Sequence, residues 1–219
     1  MNPLDLLTFA RGSAMNWALM ICIVGIMLRL FEIIGLGRKQ DLSKPRTVTP
    51  GSGWRTVFTR SWPIAGMMKR EPVTYLAGYV FHVGLLIVIF YYAPHIDFIR
   101  SMTGLNWRGL PSTLVDAVAV ASIIALLVLL AHRLTNPVKR LLSSFGDYLA
   151  WGVTLLPLLT GYLAFHHQLF EYTLMLSLHL FSVELLLVLL PFTKLFHSFS
   201  VLLSRWYNGQ MAARKGVAS

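Results

Sequence analysis

Five stretches of about 20 mostly apolar residues constrain this chain more than any other feature of its sequence. A bilayer core of about 30 Å requires roughly 20 residues at about 1.5 Å each, so each stretch is long enough to cross it as a helix. We predict helices at approximately Asn16–Leu36, Thr74–Ile96, Thr113–His132, Tyr148–Phe165 and Tyr172–Phe196. The chain is therefore predicted to be an all-α integral membrane protein, a bundle of five transmembrane helices forming one domain over residues 1–219.

The composition agrees with this class of protein. With 56% hydrophobic residues over 219 positions, the chain is too apolar for a soluble domain. Its single cysteine, Cys22, falls inside an apolar stretch, so the chain offers neither an intrachain disulfide nor the thiolates of an iron–sulfur cluster. Any such cluster would belong to a partner protein.

The distribution of positive charge predicts the orientation. The formal net charge is +10, but the basic residues lie in loops between apolar stretches, which argues against nucleic-acid binding. Loop 37–73 holds eight Lys and Arg residues, residues 133–140 hold three and the tail from Lys194 holds four, against three on the other side, Arg11, Arg100 and Arg108. This bias places the N-terminus outside, and the loop 37–73 and the C-terminus in the cytoplasm, for a multi-pass protein of the inner membrane.

Histidines fall at two predicted depths, and each needs a reason because ionisable groups are costly inside a membrane helix. His82 and His197 lie toward the cytoplasmic side, whereas His95 and His179 lie toward the outer side. In a regular helix, the 18 residues from His179 to His197 make five turns, so both would share one face about 27 Å apart. A haem plane can stand between facing helices with one imidazole on each side, which suggests an inner haem held by His82 and His197.

The second ligand of an outer haem stays open at this point. His95 follows His82 by 13 residues, about 20 Å along a regular helix but turned by roughly 220°. Pro94 can kink the chain and change that angle. His166 and His167 are rival donors. The alternative for any of these histidines is a hydrogen-bonding or headgroup-facing role, which we favour for His132 beside Arg133 and also for His166 and His167.

Two motifs resemble the gamma subunit of respiratory nitrate reductase, a five-helix dihaem cytochrome b. They are FHVG at Phe81–Gly84 and LHLFSVELLLVLLPFTKLFH at Leu178–His197. The wider group includes membrane subunits of heterodisulfide-reductase-like and dissimilatory sulfite-reductase-associated complexes. The likeness covers most of the chain from the second helix onward.

The resemblance implies that the chain binds b-type haem through histidines at the positions of the family's haem ligands. His82 and His197 match the ligands of the inner haem, and His179 matches one ligand of the outer haem. The nitrate reductase subunit has another histidine ten residues after the FHVG histidine, and this chain has Tyr92 there. Either the outer haem is absent, leaving one haem, or His95 supplies the ligand; we expect His95 and two haems. Lys194 is expected to pair with a propionate of the inner haem, its alternative being a side chain that reaches toward the interface.

The implied function is electron transfer between quinol and a cytoplasmic partner. The resemblance implies quinol oxidation near the outer face and delivery of electrons to an iron–sulfur or heterodisulfide-reductase-like subunit, or the reverse. A quinol site needs an apolar slot and groups that accept hydroxyl protons. Tyr92, Asp97 and Asp116 are expected to supply such groups. The Tyr92 departure favours a heterodisulfide-reductase-like or sulfur-metabolism complex over nitrate reductase itself.

No terminal catalytic centre is predicted in this chain, so it would be an electron-transfer subunit. The basic loop 37–70 and the C-terminal tail are the expected docking surface for the partner, with the quinone pool and lipid as its other partners. Two alternatives remain: a haem-free membrane anchor or assembly subunit of the same fold, and a small transporter. Only Pro157, in the middle of the fourth predicted helix, suggests the broken helix that a transporter would need.

Overall fold

The computed structural model describes residues 2–36, 42–46, 52–63 and 65–217. The predicted loop 37–73 is therefore described only in part, since residues 37–41, 47–51 and 64 lie outside the described residues. All regular structure within the described residues is helical. The helices are α1 Pro3–Phe9, a π-helical turn Ala10–Ala14, α2 Met15–Ile34, α3 Ser52–Thr59, α4 Ala65–Arg70, α5 Pro72–Tyr91, α6 Ala93–Thr103, α7 Ser112–Thr135, α8 Pro137–Leu142, α9 Phe145–Phe165, α10 Tyr172–Leu189, the 3₁₀ turns Leu190–Phe192 and Lys194–Phe196, and α11 His197–Arg214.

Five of the described helices are long and apolar enough to cross a membrane, which confirms the predicted fold class. These spans are Pro3–Ile34, Pro72–Tyr91, Ser112–Thr135, Phe145–Phe165 and Tyr172–Phe192. Large apolar side chains such as Trp17, Ile23 and Met27 are exposed along the first span, as expected of a surface that faces lipid. The chain is a multi-pass membrane protein.

Two of the predicted helices end earlier than expected, each beside a proline. The second ends at Tyr91 instead of Ile96, because the backbone of Tyr92 is extended and Pro94 begins the separate helix α6. The fifth, α10, ends at Leu189 instead of Phe196, and two 3₁₀ turns separate it from α11. Pro191 lacks an N–H group and its ring obstructs the carbonyl four residues earlier, which ends an α-helix at this point.

The described chain divides into two compact units. The first comprises Met1–Asn16 and Glu71–Leu186, and the second comprises Trp17–Arg70 and Leu187–Ser219. The predicted organisation as one domain stays a prediction.

In the first unit, α7 lies between α5 and α9, and small residues let the helices approach closely. A methyl group built on Gly84 of α5 would lie 2.0 Å from Ser122 Oγ of α7. Ser122 is fully buried, and its hydroxyl donates to the Val118 carbonyl at 2.8 Å. Small residues at the interface are how membrane helices gain packing contacts, since lipid tails leave little hydrophobic drive between them.

In the second unit, α3 packs against α11 through two glycines. A methyl group on Gly209 would lie 2.3 Å from Thr56 Oγ1, and one on Gly53 would lie 2.6 Å from Trp206 Cδ1. Arg29 of α2 donates to the Pro191 carbonyl at 3.3 Å and forms an ion pair with Glu32 at 2.8 Å. Arg29 thus gives one carbonyl of the interrupted stretch after α10 a partner.

Glu71 joins the start of α5 to the segment around α8. Its carboxylate lies 2.8 Å from Lys139 Nζ and 3.3 Å from His132 Nε2, and it accepts a hydrogen bond from Thr74. The bonds from Lys139, His132 and Thr74 lower the pKa of Glu71 from about 4.5 to about 2. His132 therefore has the hydrogen-bonding role that the sequence favoured for it.

Gly84→Ala should destabilise the protein by about 1–3 kcal/mol, because the new methyl group enters the space of a buried hydroxyl. Thermal unfolding in detergent measures this change. Gly78→Ala, on the same helix with nothing within 4 Å of the added methyl group, should cost nothing. Adding Ser122→Ala to Gly84→Ala should recover most of the loss, and a double variant no more stable than Gly84→Ala would contradict this packing.

The ion pairs of Glu71 should contribute to the stability of the folded protein, and this contribution should be lost at acid pH. Its folded-state pKa is depressed, so its contribution is present above pH 4.5 and is lost as the pH falls toward 2. Between these values, the unfolding midpoint of the native chain should fall more steeply than that of Glu71→Gln. Glu171→Gln, which leaves this cluster intact, should follow the native chain.

Candidate functional site

His95 is held by the end of α5. The last four carbonyls of an α-helix lack partners within the helix, and three of those in α5 accept bonds from outside it. His95 Nδ1 lies 2.8 Å from the Val88 carbonyl, Trp107 Nε1 donates to Phe90 at 2.6 Å, and the Leu110 N–H donates to Tyr91 at 2.9 Å. Nδ1 must carry the proton to donate to a carbonyl, which leaves the lone pair of the ring on Nε2.

The protonation of His95 suits a metal ligand. Burial lowers the pKa of this imidazole, and the bond to the Val88 carbonyl opposes the shift only in part. The neutral form is therefore favoured. A neutral imidazole whose Nδ1–H is bonded to a carbonyl is the usual state of a metal-binding histidine.

His179 of α10 faces α9. Its Nδ1 lies 3.2 Å from Thr160 Oγ1, and the Thr160 hydroxyl donates to the Leu156 carbonyl at 2.7 Å. Since that hydroxyl has one proton, its oxygen accepts from His179 Nδ1–H, and the lone pair of this ring also lies on Nε2. A methyl group on Gly161 would lie only 2.9 Å from His179 Cε1, so the glycine is what leaves room for the imidazole ring.

The rings of His95 and His179 lie next to each other and nearly parallel. Their centroids are 6.2 Å apart and their planes differ by 19°. The contact is a stacked one, and a metal–imidazole bond is about 2.0 Å, so a single metal would be within reach of both rings after small side-chain rotations. The described residues contain no group of three or more His, Cys, Asp or Glu side chains arranged to hold a metal ion. His95 and His179 are thus a pair of neighbouring imidazoles with both Nδ1 atoms engaged.

The rival histidines have other partners. His166 Nε2 lies 2.9 Å from Asp116 Oδ1, and His167 stacks on Tyr172 with centroids 4.8 Å apart. The break in α5 also removes the objection from helical rotation, because His95 does not lie on the same helix as His82.

Aromatic rings connect the imidazole pair to the His166–Asp116 pair. Tyr92 packs edge-on against His95 at 5.2 Å and against Phe165 at 5.9 Å, and Phe165 packs against His166 at 5.0 Å. Burial raises the pKa of Tyr92, and Tyr172 and Asp116 raise it further by charge repulsion. Of the three residues predicted for a quinol site, Tyr92 and Asp116 thus lie in this region. Asp97 is exposed and lies two positions, about 200° of helical rotation, from His95, so it faces away.

The predicted inner ligands have a similar local arrangement, each in its own unit. His82, exposed on α5 of the first unit, has Nδ1 2.7 Å from the Gly78 carbonyl. His197, exposed at the start of α11 in the second unit, has Nδ1 2.8 Å from the carbonyl of Lys194, which is itself exposed. The fifth span ends at Phe192, so His197 lies beyond it. The expectation that His179 and His197 share one helical face is wrong, because the helix ends between them at Leu189.

Two features of the first unit have a weak signal in the sequence. His166 and Asp116 are 50 positions apart in the sequence. The only sign of this pair was that both residues lie near helix ends predicted to be on the outer side of the membrane. Glu184 is 7% exposed, and its Oε1 atom has no hydrogen-bond partner among the described residues. A buried carboxyl group within a span is itself an indication of function.

No family model matches the chain. It is 29% identical over 223 residues to a protein of Nitratidesulfovibrio vulgaris (strain Hildenborough), an alignment that covers 96% of each chain. The chain is a distant homologue of that protein over nearly its whole length.

Proposed function

We propose that this chain is the membrane cytochrome b subunit of a respiratory complex, related to the gamma subunit of nitrate reductase. It would oxidise quinol near one face of the membrane and pass electrons through b haems to an iron–sulfur partner, or carry them in reverse. His95 and His179 would hold the haem nearer the quinol, and His82 and His197 a second haem.

The observation that carries this proposal is the imidazole pair of His95 and His179. The two ring centroids are 6.2 Å apart, close enough for both imidazoles to contribute to holding one bound haem. Both rings have Nδ1 bonded to an oxygen, which would leave the lone pair of each Nε2 to bind a metal. Gly161 leaves room for the His179 ring itself, which holds this imidazole next to α9.

A bound haem would supply one-electron transfer. The protein residues would set its position and protect it: Val88 and Thr160 fix the two ring tautomers through the bonds to Nδ1. Tyr92 and Phe165 place aromatic surface beside the ligand pair. A flat apolar quinol ring could pack against this surface.

The second haem, the orientation and the partner are proposed from the sequence. His82 and His197 occupy the ligand positions of the two motifs, and each has Nδ1 bonded to a carbonyl. Lys194 would pair with a propionate. The positive-inside bias would place the basic loop 37–70 and the tail in the cytoplasm, where they would bind the iron–sulfur or heterodisulfide-reductase-like subunit, and the protein in the inner membrane.

A pyridine haemochrome assay on the purified chain tests this function. We expect two b haems per polypeptide, falling to one in both His95→Ala and His179→Ala, because each change removes one axial ligand. His167→Ala should retain two, since that ring stacks on Tyr172. A single haem that survives both changes would mean that the outer haem is absent, and a chain without haem would favour the haem-free anchor.

Gly161 gives a steric test that leaves every histidine in place. Gly161→Ala puts a methyl group 2.9 Å from His179 Cε1, so the ring must move and the haem content should fall below two per chain. Gly152→Ala lies on the same helix with nothing within 4 Å of the added group, and it should retain two. Equal haem content in the two variants would contradict a haem held by His179.

A further inference from the structure

His166 and Asp116 form a pair beside the imidazole pair but outside it. His166 is the C-terminal cap of α9, directly after Phe165, and Asp116 lies in the second turn of α7. Nε2 of the histidine is 2.9 Å from the carboxylate. Their side chains are 30% and 27% exposed, so both are partly shielded and still accessible. Phe165 and Tyr92 connect them to His95 by ring contacts.

We propose that His166, oriented by Asp116, is the base that accepts the protons of the quinol. The inference rests on the proposed function and names the residues that would complete its chemistry. It replaces the expectation that Asp97 takes part, because Asp97 faces away from His95.

The arrangement has the parts that a general base requires. Neutral His166 donates Nε2–H to the carboxylate of Asp116, which leaves the lone pair on Nδ1. A quinol hydroxyl can give its proton to Nδ1, and the carboxylate stabilises the imidazolium ion that forms. The phenol of Tyr162 packs against this ring at 4.4 Å. Other titratable groups nearby include Tyr92, Tyr172 and His167, which stacks on Tyr172.

The reaction balances with the components already proposed. Oxidation of one quinol breaks two O–H bonds, converts both C–O bonds to carbonyls and releases two protons and two electrons. His95 and His179 would hold the haem that supplies one-electron transfer, and the two electrons would leave through it to the iron–sulfur partner. His166 takes one proton, releases it to water and then takes the second.

A structural role is the competing explanation. The His166–Asp116 bond also joins α9 to α7, so a change in either residue could act through helix packing. The experiment must therefore separate loss of proton transfer from loss of structure or of quinol binding.

His166→Gln and Asp116→Asn provide this separation. Glutamine places an amide group near the position of Nε2 of histidine, so it keeps a donor to Asp116 but takes no proton. Asp116→Asn keeps the size of the side chain and removes its charge. Glu171→Gln removes another carboxylate near the start of α10 and serves as the control.

Rapid mixing with menadiol, a naphthoquinol, follows the reduction of haem by its absorbance. At pH 7 both variants should react about 100-fold more slowly than the native chain, the lower end of the usual contribution of a general base. The rates should rise toward the native rate at higher pH, where the quinol ionises without help. Glu171→Gln should react at the native rate.

Binding of a hydroxyquinoline N-oxide, a quinol analogue that is not oxidised, provides the readout apart from turnover. Its fluorescence quenching should show native affinity in both variants, with two haems per chain retained. Native reduction rates in both variants would overturn the assignment of the base. Loss of haem, analogue binding and rate together would also overturn it, in favour of a structural role. If menadiol fails to reduce the native haem, the proposed quinol function itself is wrong.

Discussion

The carbonyl groups left at the end of α5 determine the geometry of the candidate site. An unpaired carbonyl in apolar surroundings is costly, so each one must find a donor. The Val88 carbonyl accepts from His95, and the carbonyls of Phe90 and Tyr91 accept from Trp107 and Leu110. The bond that completes the helix end therefore also fixes the tautomer of His95, and it directs the lone pair away from α5.

Glycine residues determine how closely neighbouring helices and side chains can approach. Membrane helices gain little from burying apolar surface against one another, so their positions depend on how closely the backbones can approach. Gly84 lets α5 meet α7 at Ser122, and Gly161 lets α9 accommodate the ring of His179. The first glycine sets a helix–helix distance and the second makes room for a side chain. The same residue type thus supports both the fold and the site.

The sequence predicted the five spans well, because segment length and apolar content follow directly from the thickness of the bilayer. It predicted the helix ends less well. The extended backbone at Tyr92 and the turns after Leu189 depend on which donors and acceptors lie nearby in the folded chain. The break that Pro94 suggested removes the helical rotation between His82 and His95 as an objection. The argument that His179 and His197 share a face failed, because no single helix carries both residues.

The spacing of residues in the sequence could not predict which side chains meet between helices. Nothing in the order of residues states that His166 meets Asp116 or that His95 meets His179, because both contacts depend on how the helices pack in the first unit. The proposed function needs the two pairs to be close but separate. Electrons and protons from one quinol must go to different acceptors, since a haem takes only electrons and an imidazole base only protons. Tyr92 and Phe165 lie between the two pairs, and a substrate on that aromatic surface would have one acceptor on each side.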